Sequence, residues 1–492
     1  MLTHRSFSYY EVHMPMSKKN DKAIIQVIGG NAESVTGSCT MIEYQGETYL
    51  FECGMIQSKT VIDTYKENKQ ILSRIKAQKV DIIIIGHLHL DHSCSIPALY
   101  ATGKCHARII VPKNSTAILK EMWLDCAYIN ERDAKVLSDK AEKFVPPLFT
   151  ERDVYEALKH IEEYSSHEIH KITELLSIRY TPAGHIFLSQ QTEVFLKDTV
   201  NKTILFTSDL GNLTTQNERV FVEKFEPIQK ANIVIGECTY SAKGRSTTHK
   251  DFEKDMQKIK SVIEQYCVDS RHRVICPTFS LDRMPFMMWL IYNIFKNDEN
   301  FSVPIIIDSP LAIRLLHCYS GLLEGDAKQK FDDMVHWDNF EFIYNPEDSK
   351  DAISDKRAKV VLSSSGMLTA GRSVKWVQNI LPNENDCILF CGYSTEGSLA
   401  WKIKNGNEQK TININGKPYK NKANIISLHS FSGHMSREDL LNYYSSIVTE
   451  KIYLVHSDQH KLEFKEDLQQ IINDKLKTTK VVAVNKSTKI TL

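Results

Sequence analysis

The sequence predicts an α/β protein built of layered sheets and helices, and two observations carry that expectation. Apolar runs of strand length recur throughout: AIIQVIG, DIIIIG, ARIIVP, TILFTSD, NIVIGEC, VPIIIDSP and KVVLSSSG. Runs so rich in Ile, Val and Leu suit strands buried on both faces, as in sheets covered by helices. Between many of them stand longer stretches of helical periodicity, the alternation expected of α/β folds. A chain of 492 residues, 42% hydrophobic and 25% charged, is long enough for more than one core.

From residue 21 the strands AIIQVIG, SCTMIEY and ETYLFEC follow one another across glycine or polar turns. DIIIIG and ARIIVP come next. NSTAILKEMWLDCAYINERDAKVLSDKAEKF then reads as a long helix, and ERDVYEALKHIEEY as a second, with Pro146 and Pro147 breaking the pattern between them. EVFLKD, TILFTSD and NIVIGEC return to strand. In the middle, RVICPTF, the helix through MPFMMWLIYNIFK, VPIIIDSP, another helix and KVVLSSSG form a separate parallel-sheet unit. The last segment runs through NIISLHSFSGH, IYLVHSD, the helix KLEFKEDLQQIINDKL and a closing strand KVVAVN.

The 61 basic and 61 acidic residues cancel. Net charge therefore lends no support to a nucleic-acid partner, although a local groove can still be basic. Eleven cysteines without a CxxC pair point to reduced thiols in a cytoplasmic protein. Cys39, Cys53, Cys276 and Cys391 read as small core residues. No window is apolar enough for a membrane span, and the N-terminus lacks the features of a signal peptide. Residues 1–20 are expected to be an extension, with Met14 and Met16 as alternative starts.

DIIIIGHLHLDHSC places His87, His89, Asp91 and His92 directly behind a buried strand. Imidazole and carboxylate are the ligands that zinc prefers. With 18 histidines in the chain, HxHxDH arises by chance with probability on the order of 10⁻³. A solvated histidine-rich loop is thus a poor account of the whole motif, though a fair one of any single histidine. Further candidates stand at strand ends: His185 in TPAGHIF, Asp209 in TILFTSDLG and His456 in IYLVHSD. A bare carboxylate at the end of a buried strand is costly unless paired or bound to metal.

GHLHLDH, PAGH, TSDLG, GECTY, FSGH and LVH together resemble the successive motifs of the metallo-β-lactamase fold in its β-CASP branch, a group of nucleic-acid hydrolases. VTGSCTMIE, FECGMIQ, EMWLDCAYINERDA, PLFTERDV, DSPLA, SSSGMLTAGR and GYSTEGSLA extend the likeness over residues 23–492. The resemblance implies an αββα sandwich from residues 21–241 and 425–492, with a β-CASP α/β domain inserted at 242–424. It also implies two zinc ions: His87, His89 and His185 for one, Asp91, His92 and His456 for the other, and Asp209 as the bridge. Asp91, His434 and Glu237 would be catalytic. His434 in HSFSGHMS matches the histidine that protonates the leaving 3′ oxygen, and Glu237 the acidic residue that orients it; the plainer reading of Glu237 is a turn cap. Histidine at 456 resembles the RNA-cleaving members.

Ser365, Gly366 and Arg372 in SSSGMLTAGR would contact a substrate phosphate; a tight turn between strand and helix explains the same residues equally well. The implied function is a zinc-dependent RNA phosphodiester hydrolase giving 5′-phosphate and 3′-hydroxyl ends. The short stretch after His456 has no room for the C-terminal domain of processive exonuclease relatives, which favours endonucleolytic cutting. RNA is the expected partner; a homo-oligomer or a protein partner stays open. Alternatives are a small-molecule hydrolase of the same fold and a weakly active nucleic-acid-binding subunit. Departures from the family pattern are Glu52 for aspartate, Cys126 and Tyr128 for serine and histidine, and Asn212 for a basic residue.

Overall fold

A computed structural model describes residues 22–244, 248–392, 394–406, 410–457 and 459–492; the N-terminal extension lies outside the described residues. Two seven-stranded sheets face each other. The first runs, in spatial order, Lys489–Thr491, Ile24–Val27, Thr40–Tyr44, Glu47–Phe51, Ile82–Ile84, Arg108–Pro112 and Ile161–Tyr164. The second runs Lys480–Ala483, Lys451–Ser457, Ile233–Cys238, Lys202–Phe206, Gln190–Leu196, Leu176–Pro182 and His170–Lys171. Ile25, Ile84, Ile110, Ile178, Ile204, Ile235 and Val455 fill the space between them, and Phe51 stacks on Phe206 at 4.0 Å. Helices Val61–Arg74, Ser115–Ala141 and Glu151–Leu158 accompany the first sheet, and Arg437–Ser446 and Lys461–Asp474 cover the second. This is the αββα sandwich that the motifs imply.

Two elements differ from the sequence reading. Helix Glu151–Leu158 ends early, and IEEY becomes the edge strand Ile161–Tyr164, paired with Arg108–Pro112. The isolated pattern continues the helix, but the open sheet edge supplies backbone partners that the helix end lacks. The final strand is Lys489–Thr491 rather than KVVAVN alone, and it returns to pair with Ile24–Val27.

The inserted unit is a six-stranded sheet ordered Phe340–Phe342, Ile305–Asp308, Lys359–Ser363, Arg273–Pro277, Cys387–Phe390 and Asn424–Ser427, with every described pairing parallel. Helices pack on both faces, as a fully parallel sheet requires. Strand Asn424–Ser427 belongs to this sheet, so the chain leaves the insert after Ser427 and not at residue 424. The reason is register: NIIS runs beside CILF and completes its hydrogen bonding.

One apolar cluster joins the two units. Phe187 stacks on Tyr319 at 4.3 Å, Phe221 meets Trp289 and Phe331 edge-on, and Arg314 Nε donates to Glu121 Oε2 at 2.6 Å.

Candidate metal centre

The isoleucine strand Ile82–Ile84 anchors the histidine loop. After it, His87 is fully buried, His89 precedes the single helical turn Leu90–Ser93, and that turn carries Asp91 and His92. Backbone bonds lace the loop to its neighbours: Ser38 N donates to Asp91 O at 2.7 Å and Cys53 N to His92 O at 2.9 Å. Gly54 permits this approach, because a Cβ there would stand 1.7 Å from Asp91 O. A similar crossing brings the His185 and Asp209 loops together: a Cβ on Gly211 would lie 2.0 Å from Gly184 O.

All seven proposed ligands converge. His87 Nε2 and His89 Nδ1 are 2.7 Å apart, and His185 Nε2 is 3.8 Å from Asp209 Oδ2. On the other side, His92 Nε2 is 3.8 Å and His456 Nε2 3.6 Å from Asp91 Oδ2. Asp209 faces both groups, with Oδ2 3.6 Å from His87 Nδ1 and 3.5 Å from His92 Nε2, and Oδ1 3.5 Å from His456 Nδ1. The chain thus brings together His87, His89, His185 and Asp209 as one set, and Asp91, His92 and His456 as the next.

His456 reaches this point through a break in the ladder. Val455 pairs with Glu237 and Ser457 with Cys238, so His456 is the extra residue of a bulge, with φ of +49°. A bulge re-aims a side chain and commonly stands beside a functional site.

Electrostatics fits cations here. Burial first, and then neighbouring imidazoles, push His87 and His185 well below the usual imidazole range, which leaves neutral rings with free lone pairs. Burial alone would raise Asp209; the facing imidazoles of His456 and His92 outweigh it and hold the carboxyl well below its usual range. His92 Nε2, His456 Nε2 and Asp209 Oδ1 are buried without a hydrogen-bond partner. Buried polar atoms are ordinarily satisfied. Orphan nitrogens set against carboxylates fit a metal ion, and the donor set is one that zinc takes.

Supporting contacts hold these ligands in orientation. Glu52 Oε2 lies 2.7 Å from His92 Nδ1 and accepts from Ser38 Oγ at 2.6 Å, while Oε1 accepts from Ser208 Oγ at 2.6 Å. Glu52 therefore stays in contact with the His92 ring despite its longer side chain, with φ of +61°. Thr239 Oγ1 lies 2.9 Å from His456 Nδ1, and His185 Nδ1 lies 3.0 Å from Gly433 O. Such partners orient metal ligands and tune them.

His434 borders the same site, with Nδ1 3.6 Å from Glu237 Oε1 and 4.0 Å from Asp209 Oδ2. Glu237 also caps turns, as its plainer reading has it: Oε1 accepts from Leu210 N and Oε2 from Thr239 N. Asn212 replaces charge with anchorage. Its backbone N donates to Gly433 O and its amide to Ser432 O, tying down the loop that carries His434. Cys126 is buried and Tyr128 exposed on helix Ser115–Ala141.

The SSSG turn follows strand Lys359–Ser363 at the carboxyl edge of the inserted sheet. Ser365 Oγ accepts from Thr369 N, and a Cβ on Gly366 would lie 3.2 Å from the Phe279 ring. Arg372, expected to lend charge to a phosphate, is instead bound within the domain. It donates to Asp308 Oδ1 at 2.5 Å and to the carbonyls of Ile343 and Tyr344. Asp308 is fully buried and needs that cation.

Ser38, Ser208, Thr239 and Asn212 escaped the sequence reading as participants. The two serines and Thr239 lie inside recognisable motifs and so had a local signal; the contacts that Thr239 and Asn212 make span more than 200 positions.

With the site in place, the chain can be compared with known proteins. Residues 286–403 match the Beta-Casp domain, and residues 418–481 match the Zn-dependent metallo-hydrolase RNA specificity domain. A ribonuclease of Thermus thermophilus is 25% identical over 88% of this chain and 93% of its own. An endoribonuclease, ysh1, of Aspergillus fumigatus is 25% identical over 95% of this chain, which spans only 55% of that longer protein. A crystallised Enterococcus faecalis protein of unknown function superimposes with a TM-score of 0.53 at 12% identity, over 96% of this chain and all of its own. That likeness speaks to the fold.

Proposed function

We propose that the chain is a metal-dependent RNA hydrolase of the β-CASP branch of the metallo-β-lactamase fold, as its matches to the Beta-Casp and RNA specificity domains support, and that it works with two zinc ions as an endoribonuclease leaving 5′-phosphate and 3′-hydroxyl ends. The observation that carries this reading is Asp209, a single buried carboxylate facing two separate sets of metal-ligating side chains. His87, His89, His185 and Asp209 would hold one ion, and Asp91, His92, His456 and Asp209 the other. When bound, such a pair supplies Lewis acidity to a phosphoryl oxygen and a water of lowered pKa.

The remaining work falls to the chain itself. Glu52 and Thr239 fix the rings of His92 and His456, so the site keeps one shape while a substrate comes and goes. His434 is positioned to give its proton to the departing 3′ oxygen, and the carboxylate of Glu237, 3.6 Å away, orients it. Because the 2′-hydroxyl is not the nucleophile in this scheme, cyclic phosphate does not form. Ser365 and Gly366 remain the proposed phosphate contacts, with Arg372 bracing the domain beneath them.

The test is to cleave a single-stranded RNA with purified protein, with and without chelator, and to identify the ends by mass. Zinc-dependent cuts with 5′-phosphate ends are expected. Cleavage that survives removal of all metal, or 2′,3′-cyclic phosphate products, would refute the reading.

A further inference from the structure

The sandwich and the inserted sheet meet at a buried ion pair that the reaction scheme does not use. Arg219, 2% exposed, lies on the loop between strands Lys202–Phe206 and Ile233–Cys238. Its Nη2 donates to the backbone carbonyl of His185 at 2.7 Å and also to Asp282 Oδ2. The guanidinium carbon sits 5.1 Å from the centre of the Phe286 ring, within cation–π range. Asp282 belongs to the inserted domain, where it precedes helix Arg283–Phe295, and it is 6% exposed. One guanidinium therefore ties the backbone of a proposed zinc ligand to the first turn of a helix in the other domain.

The arrangement carries two costs that a pair serving stability alone has no need of. Asp282 has φ of +66° and ψ of −56°, a conformation that side-chain-bearing residues rarely adopt. Arg219 Nε and Nη1 are buried without acceptors, whereas buried donors are ordinarily satisfied. Replacing a buried pair with apolar residues often stabilises a protein. Here the pair persists at the point where the insert touches a ligand. His185 is held on both sides: its carbonyl by Arg219, and its ring nitrogen Nδ1 beside Gly433 O.

We propose that Arg219 and Asp282 form a latch that seats the inserted domain and holds His185 in its ligating position. They are positioning residues, and the inference rests on the metal-dependent reading above. Arg219→Ala removes the contacts to His185 and Asp282 at once, so the informative variants are Asp282→Asn, which keeps an acceptor for Arg219, and Asp282→Gly. The second also relieves the backbone at that residue.

The experiment loads wild type and both variants with cobalt(II), records the visible absorption of the metal, and measures kcat and KM on a short RNA. Both variants are expected to fold and to take up cobalt, but with shifted absorption bands. Their kcat should fall roughly 10-fold or more, as when a group orienting a metal ligand is lost, while KM changes much less. Variants whose spectrum matches that of a cobalt-binding wild type overturn the latch alone, even if kcat falls, because the effect then does not pass through His185. A wild type that binds no cobalt overturns the metal-dependent reading and the latch with it.

Discussion

Two sheet edges in this protein face opposite demands. At the metal edge of the sandwich, strand-end residues leave buried polar atoms unpartnered: His92 Nε2, His456 Nε2 and Asp209 Oδ1. At the carboxyl edge of the inserted sheet, Asp308 is just as buried, yet its carboxylate is fully partnered. It accepts from Arg372 Nη1, from Ser349 Oγ at 2.7 Å and from Trp376 Nε1 at 2.7 Å. Both edges place charge at strand ends, and the two charges are satisfied in different ways. A buried charge that the protein satisfies internally is scaffold, and a converging set that it leaves open is a site.

The comparison breaks most readily at Asp209. Asp209→Ala removes the group that faces both ligand sets, so elemental analysis should find fewer than two zinc equivalents and RNA cleavage should be abolished. Two full equivalents in that variant would end the bridging role. The next largest effect belongs to His434→Ala, which should keep its zinc and cleave roughly 10²-fold or more slowly, since the leaving oxygen then departs without a proton donor. A wild-type rate would remove His434 from the chemistry.

Glu52→Ala probes the orienting contacts. It frees the ring of His92 and leaves Ser38 and Ser208 without their acceptor, so zinc affinity should fall by about 10- to 100-fold in a chelator-competition titration. The smallest effect on cleavage is expected on the opposite edge. Arg372→Ala strands Asp308 without its cation and should cost about 3–5 kcal/mol of stability. Zinc content, and the rate per folded molecule, should stay within a few-fold of wild type. Loss of zinc in that variant would show that the two edges are not separate in function.

How much of this could be read in advance depended on distance along the chain. HLHLDH concentrates four ligands in six residues, so its chemistry shows in any window that contains it. His185, Asp209 and His456 stand at or just past the ends of buried strands, where a polar residue is conspicuous. The strand IEEY was misread because a helical pattern runs through it, and its pairing with Arg108–Pro112 is invisible locally. The ion pair of Arg372 with Asp308 had no local signal, because the two lie 64 positions apart.

Residue type and strand-end position thus determined, from the sequence alone, the layered fold and a set of candidate metal-binding groups that the structure brings together. Only the tertiary structure showed how near these groups come to one another, with Asp209 facing side chains from three other strand ends. It also decided the bulge that turns His456 inward, the carboxylate of Glu52 behind His92, and the Arg219–Asp282 pair between the domains. The physical reason is the same in each case: hydrogen bonds and ion pairs act over a few ångströms of space, and folding brings those distances about between residues that the chain keeps tens to hundreds of positions apart.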